Sequence, residues 1–221
     1  MKLLVNALVK FLSGLLLVGL LLFLPAGTVR YPGGWRFMAL LFLPMLVFGA
    51  LLFMKAPEML KKRLNTRETE PMQKGVVVFS ALVFIAAFLL AGLDFRFHWT
   101  SVPPWLTIAA SLLMLAAYGL YMEVMRENAY LSRTVEIQEG QKVIDTGLYG
   151  VVRHPMYTST ILLYLSIPLV LGSWVSFAVF LLYPAAIVFR IRSEEQVLSA
   201  GLAGYTEYKE KVKYRLVPYI W

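Results

Sequence analysis

Long apolar runs separated by short, cation-rich polar stretches set the pattern of this chain. Residues 3–24, 37–54, 75–93 and 105–125 are almost continuously apolar. Each approaches or exceeds the ~20 residues that carry a helix across ~30 Å of hydrocarbon. Backbone polar groups in lipid must be satisfied within the segment, so these runs predict four membrane-spanning helices. Pro44 lies inside the second run and predicts a kink there. A fifth apolar region, 156–189, is too long for one ordinary span. Gly172 and Ser173 divide it, with Pro168 and Pro184 on either side, which predicts a tight helical hairpin whose arms are each somewhat short for a full crossing. After it, Val197, Leu198, Leu202 and Tyr205 recur at helical spacing, predicting a tail helix from Ser193 to about Val212. Short alternating pieces at 135–137 and 142–144 flank Gly140.

Composition agrees with the pattern. Of the 221 residues, 59% are hydrophobic and 15% charged, against roughly 45–50% and about 25% in soluble domains. The expectation is a single all-α membrane domain over 1–221, with the first four spans in 1–125 and a loop, hairpin and tail in 126–221. The run at 3–24 reads as a first span and not a signal peptide, because no small-residue cleavage site follows it.

The formal charge is +8, and its distribution orients the chain. Lys55, Lys61, Lys62, Arg63, Arg67 and Lys74 fill one loop. Arg126, Arg133, Lys142 and Arg153 lie in another, and Arg190, Arg192, Lys209, Lys211, Lys213 and Arg215 at the end. The intervening loops hold only Arg30 and Arg36, then Arg96. The positive-inside rule then puts the N-terminus, the cationic loops and the C-terminus in the cytoplasm. A multi-pass protein, expected in the cell membrane, accounts for the charge through membrane lipids, and no basic stripe points to nucleic acid. Without Cys the chain has no disulfide, thiolate metal site or Cys nucleophile.

Candidate chemistry gathers at the edges of the hairpin. Gly147-Leu-Tyr149 and Arg153-His154-Pro155-Met-Tyr157 precede it; Arg190 closes it, followed by Glu194 and Glu195. Arg190 and Glu194 share a helix face, and the hairpin brings both sets to one membrane surface. Ionisable groups at such an edge are functional candidates. Taken singly, the plainer roles are headgroup anchors, a surface ion pair and interfacial tyrosines. Tyr205 and Tyr208 are expected simply to pack the tail onto the membrane face.

The ordered combination is more specific. Gly147-x-Tyr149, Arg153-His154-Pro155-x-Tyr157, Arg190-x-x-x-Glu194-Glu195 and Tyr205-x-x-Tyr208, with Pro218 beyond, resemble the isoprenylcysteine carboxyl methyltransferase family over about residues 134–221. They also look like the related phospholipid N-methyltransferases. The resemblance implies a catalytic region in 126–221, with an S-adenosylmethionine site in a cytoplasmic loop closed by the tail. Carried over by position, Gln141, Lys142, Val143 and Ile144 would line the cofactor largely by backbone. Tyr149, His154 and Tyr157 would contact it by side chain. Pro155 would shape the turn, Glu194 would bind the cofactor, and Arg190 would face the methyl acceptor and act in catalysis. The implied partner is a lipophilic or prenylated acceptor from the bilayer; no metal is implied. A carboxylate acceptor is already ionised at pH 7. A lipid amine would need a base, for which Glu195 or His154 is available. Ser159 stands where the family commonly has Gly, and Thr134 where a Gln is frequent. The rival expectations are a membrane reductase using a nicotinamide cofactor and a non-enzymatic membrane protein.

Overall fold

The computed structural model describes residues 2–64, 71–131 and 137–221. Arg67, Arg133, Thr134 and the 135–136 part of the first alternating piece lie outside them. Among the described residues all regular structure is helical: α1 (Lys2–Ala26), α2 (Pro32–Lys55), α3 (Pro57–Leu64), α4 (Pro71–Phe97), α5 (Pro104–Glu127), a 3₁₀ turn (Gly147–Gly150), α6 (Pro155–Leu171), α7 (Trp174–Phe180), α8 (Leu182–Gly201) and α9 (Tyr205–Lys211). The four expected spans are α1, α2, α4 and α5; together with the stretch Trp174–Gly201 they make five segments long and apolar enough to cross a membrane. α2 runs through Pro44 as one helix.

The hairpin forms as expected, but its arms are unequal. α6 has 17 residues, somewhat short for a crossing, whereas the returning arm extends over 28 residues to Gly201. The helix continues past the apolar run, with Ser193 and Glu195 buried in its polar half. The predicted tail helix is therefore two pieces. Its first half belongs to α8, and the chain breaks at residues 202–204 before α9.

Gly172 makes the hairpin turn. It closes α6 at φ +88°, a left-handed conformation that glycine adopts without Cβ strain. Its N–H donates to the Pro168 and Leu169 carbonyls. Ser173 then caps α7, accepting from the Ser176 N–H at 3.0 Å. Its hydroxyl donates to the buried Asp94 carboxylate, which also accepts from the Thr100 N–H and hydroxyl at 2.7 and 2.5 Å. Tyr31 donates to the Leu171 carbonyl at 2.8 Å. The far end of the bundle is thus tied by a polar cluster centred on the buried Asp94.

Lipid tails are as apolar as a leucine side chain, so packing and not water exclusion holds such a bundle together. Small residues accordingly sit in the helix contacts: Ala87 and Ala91 on α4, Ala110 and Ala117 on α5, all buried. The buried residues of α5, Thr107, Ala110, Met114 and Ala117, recur at three- and four-residue spacing, and α5 packs most extensively on α6. Leu12, Leu16, Val47, Leu82, Ile108, Leu112 and Phe189 face outward, as a lipid-facing surface requires.

At the opposite end of the bundle from the Gly172 turn, Lys10 donates to the Leu64 carbonyl. There Gln73 donates to the Arg190 carbonyl and the Glu127 carboxylate accepts from the Leu148 N–H. The start of α1, α3, the loop after α5 and the tail therefore gather at one end, as the charge pattern predicted.

Candidate functional site

The wall contributed by the loop after α5 is fastened residue by residue. The Glu127 carboxylate accepts from the Leu148 N–H at 2.9 and 3.1 Å, which starts the 3₁₀ turn. Gly147 lies at φ +56°, and a Cβ there would sit 1.9 Å from the Glu127 Oε1. Gly147→Ala is therefore expected to displace Glu127 and cost at least about 1–3 kcal/mol, read as a lower midpoint of thermal unfolding in detergent. Tyr149 is oriented at both ends: Asn128 donates to its hydroxyl at 3.0 Å, and its carbonyl accepts from the Tyr208 hydroxyl at 2.7 Å. Burial pushes the Tyr149 and Tyr208 hydroxyls above their ordinary range, so both remain protonated donors at any working pH. The strand of loop around Gln141 is held by its own neighbours. The Gln138 N–H donates to the Gln141 Oε1 at 2.9 Å, and Tyr130 donates to the Gly140 carbonyl at 3.0 Å. Gln141 thus spends its side chain on the loop.

The second wall is the first turn of α6 against α8. Pro155 opens α6, where its missing N–H costs nothing. Tyr157, in the same first turn, is buried. Its hydroxyl accepts from Arg190 Nε at 2.9 Å and donates to Glu194 Oε2 at 2.5 Å. One phenol thus joins the cation to the carboxylate. Glu194 Oε1 has no hydrogen-bond partner among the described residues, which leaves a charged acceptor facing the space between the walls. Ser159, where a glycine was expected from the resemblance, is fully enclosed. Its hydroxyl folds back onto the Met156 carbonyl at 2.7 Å, so the extra side chain is absorbed within α6.

Glu195 points the other way from Glu194 and fastens the tail. Its Oε1 accepts from Arg153 Nε at 2.7 Å and lies 3.3 Å from His154 Nε2; its Oε2 accepts from Arg215 Nε at 2.9 Å. Arg153, His154 and Glu195 are each less than 8% exposed. Arg153 also donates to the Val212 and Lys213 carbonyls at 2.7 and 2.9 Å. The Arg153 and His154 N–H groups donate to the Tyr214 and Arg215 carbonyls, each at 2.9 Å. Both Glu195 oxygens are thus committed to guanidinium groups, which corrects its candidacy as a general base: a carboxylate so stabilised in its charged form is a poor proton acceptor.

Between these walls lies a cavity of about 100 Å³. Gln141, Lys142, Val143, Ile144, Tyr149, His154, Tyr157, Arg190 and Glu194 all line it. Pro155 does not; it sits buried beneath. Tyr205 and Tyr208 correct a second expectation. They line the cavity and pack with Leu198, Leu202, Val143 and Val212, so they face inward onto the site and not outward onto the membrane. Asn128, Arg153 and Met156 also line it. Arg153 had a sequence signal in its motif; Asn128 had none beyond its place at the end of a span.

Residues 108–200, somewhat under half of the chain, match the isoprenylcysteine carboxyl methyltransferase family. A curated relative, the Delta(14)-sterol reductase TM7SF2 of Mus musculus, is 31% identical over 91 residues, which is 40% of this chain and 22% of the relative. The chain thus spans about a fifth of the length of that relative.

Proposed function

We propose that this chain is an integral membrane methyltransferase that takes S-adenosylmethionine from the cytoplasm and a lipophilic acceptor from the bilayer. The observation that carries the reading is the cavity itself. Motif positions separated by some fifty residues of chain converge on it, within and beside the segment that matches a methyltransferase family. The donor set fits the cofactor. Glu194 offers an open carboxylate oxygen for an ammonium or a ribose diol, tyrosine faces attract a sulfonium, and the loop around Gln141 to Ile144 offers backbone groups.

When bound, S-adenosylmethionine supplies an electrophilic methyl on a cationic sulfur. The chain's own part is positioning and exclusion of water. Arg190, fixed by Tyr157 and by Gln73 beneath it, is the acceptor-side group and would hold a carboxylate bidentately. Small-molecule pockets are roughly 300–1,000 Å³, so the 100 Å³ cavity has to widen on loading. The wall to move is the tail beyond residue 202, clasped by the Tyr208 to Tyr149 hydrogen bond.

Calorimetric titration of detergent-purified protein with S-adenosylhomocysteine and, separately, NADPH tests the reading. Saturable binding of the first alone supports it. Binding of NADPH alone would replace it with a reductase reading, which the likeness to a sterol reductase favours. Binding of neither by folded protein would leave a non-enzymatic role. Arg190→Ala is expected to keep S-adenosylhomocysteine affinity and to lose turnover by roughly a hundredfold, the scale of one charged hydrogen bond at the acceptor. A carboxylate acceptor, as in prenylcysteine methylation, fits Arg190 best, with a lipid amine as the alternative.

A further inference from the structure

The methyltransferase reading leaves Arg63 unexplained. It lies on α3, well outside the segment that matches the family. Its guanidinium rests 5.2 Å from the centre of the Tyr121 ring. Its Nη2 meets the Met156 sulfur at 4.0 Å, and its Nε is enclosed without a hydrogen-bond partner among the described residues. Among the described residues no carboxylate pairs with it. A guanidinium carries five donors, and one this sheltered normally meets an acidic group or pays for the lack.

Its position relates it to the site. Met156 and Tyr157 are neighbours in the first turn of α6, and both line the cavity. Arg63 abuts the first, and Arg190 bonds the second. Successive residues on a helix point about 100° apart, so two guanidinium groups flank one turn from two sides. Arg190 already shares its side of the turn with the Glu194 carboxylate through Tyr157, whereas Arg63 brings a cation that no carboxylate among the described residues balances, and the Tyr121 face fixes its fork in advance.

We infer that Arg63 binds an anionic oxygen of the methyl acceptor's head group, an inference that rests on the methyltransferase reading. A carboxylate and a phosphodiester share this chemistry. The test reconstitutes the protein in uncharged phosphatidylcholine vesicles with saturating S-adenosylhomocysteine. Three probes are titrated: two that carry an anionic oxygen, N-acetyl-S-farnesylcysteine with its carboxylate and the zwitterionic short-chain phosphatidylethanolamine with its phosphodiester, and the neutral carboxamide of the first. The expected result is that an anionic probe binds in preference to the carboxamide, and which one binds identifies the head group. Arg63→Gln is expected to weaken that binding roughly tenfold to a hundredfold, with Arg63→Lys between and S-adenosylhomocysteine affinity the same in all. Wild-type affinity for the anionic probe in Arg63→Gln overturns the inference. So does a matching loss of S-adenosylhomocysteine affinity, which would make Arg63 part of the cofactor wall. An effect that appears only when the vesicles contain anionic lipid reduces Arg63 to a headgroup anchor, and failure of both anionic probes with the wild type also overturns it. If the wild type binds no S-adenosylhomocysteine, the methyltransferase reading fails first, and the inference with it.

Discussion

Glu195→Ala is expected to destabilise the protein by about 3–5 kcal/mol and to release the tail from the site. The carboxylate sits between Arg153, His154 and Arg215, and Arg153 is as buried as Glu195 itself. Removing it leaves a guanidinium in low dielectric with only backbone carbonyls for company. The same guanidinium positions the Val212 and Lys213 carbonyls, so the loss propagates along the tail. Thermal unfolding in detergent measures the first effect, and limited proteolysis beyond residue 202 the second. Arg215→Ala removes the more exposed partner, about a third exposed at its side chain, and is expected to cost clearly less. If Glu195→Ala left both the unfolding midpoint and the tail's protection unchanged, the clamp would hold nothing.

The adjacent carboxylate has a different task, and its removal should separate the two. Glu194→Ala is expected to leave the unfolding midpoint nearly unchanged and to abolish S-adenosylhomocysteine binding. Glu194 is half-buried, bonds one phenol and keeps one oxygen open. A single charged hydrogen bond accounts for roughly a tenfold to hundredfold loss. The rest comes from Tyr157, which without its acceptor would turn its proton elsewhere. Glu194→Gln keeps the shape and removes the charge. A large loss in that variant as well would assign the effect to charge, whereas recovery would assign it to geometry. Unchanged affinity in both would take Glu194 out of the cofactor site.

Much of the fold was legible because membrane helices are written in composition. A run of about twenty apolar residues in lipid has one way to satisfy its backbone, so α1, α2, α4 and α5 could be read without knowing their neighbours. Gly172 marked the hairpin turn because a left-handed residue is needed there. The length of the returning arm was not legible. Arg190, Glu194 and Glu195 interrupt the apolar run without interrupting the helix, and only burial against α6 and the tail explains why charged residues continue it.

The site divides along the same line. Residue types at the hairpin edges identified Tyr149, Tyr157, Arg190 and Glu194 as candidates, since few roles bring an Arg, a His, two Tyr and two Glu to one membrane edge. Sequence could not assign opposite tasks to Glu194 and Glu195, because adjacent positions on a helix differ by a rotation whose meaning depends on what packs on each side. It could not turn Tyr205 and Tyr208 inward, since a tyrosine suits a membrane surface and a cavity wall equally well. Nor could it bring Arg63 to Met156, which lies 93 positions further along the chain. The sequence by itself determined a helical membrane chain with chemistry at one end. Tertiary packing decided which carboxylate faces the cavity and which clamps the tail, because a charge in low dielectric takes its role from the partners within hydrogen-bond reach.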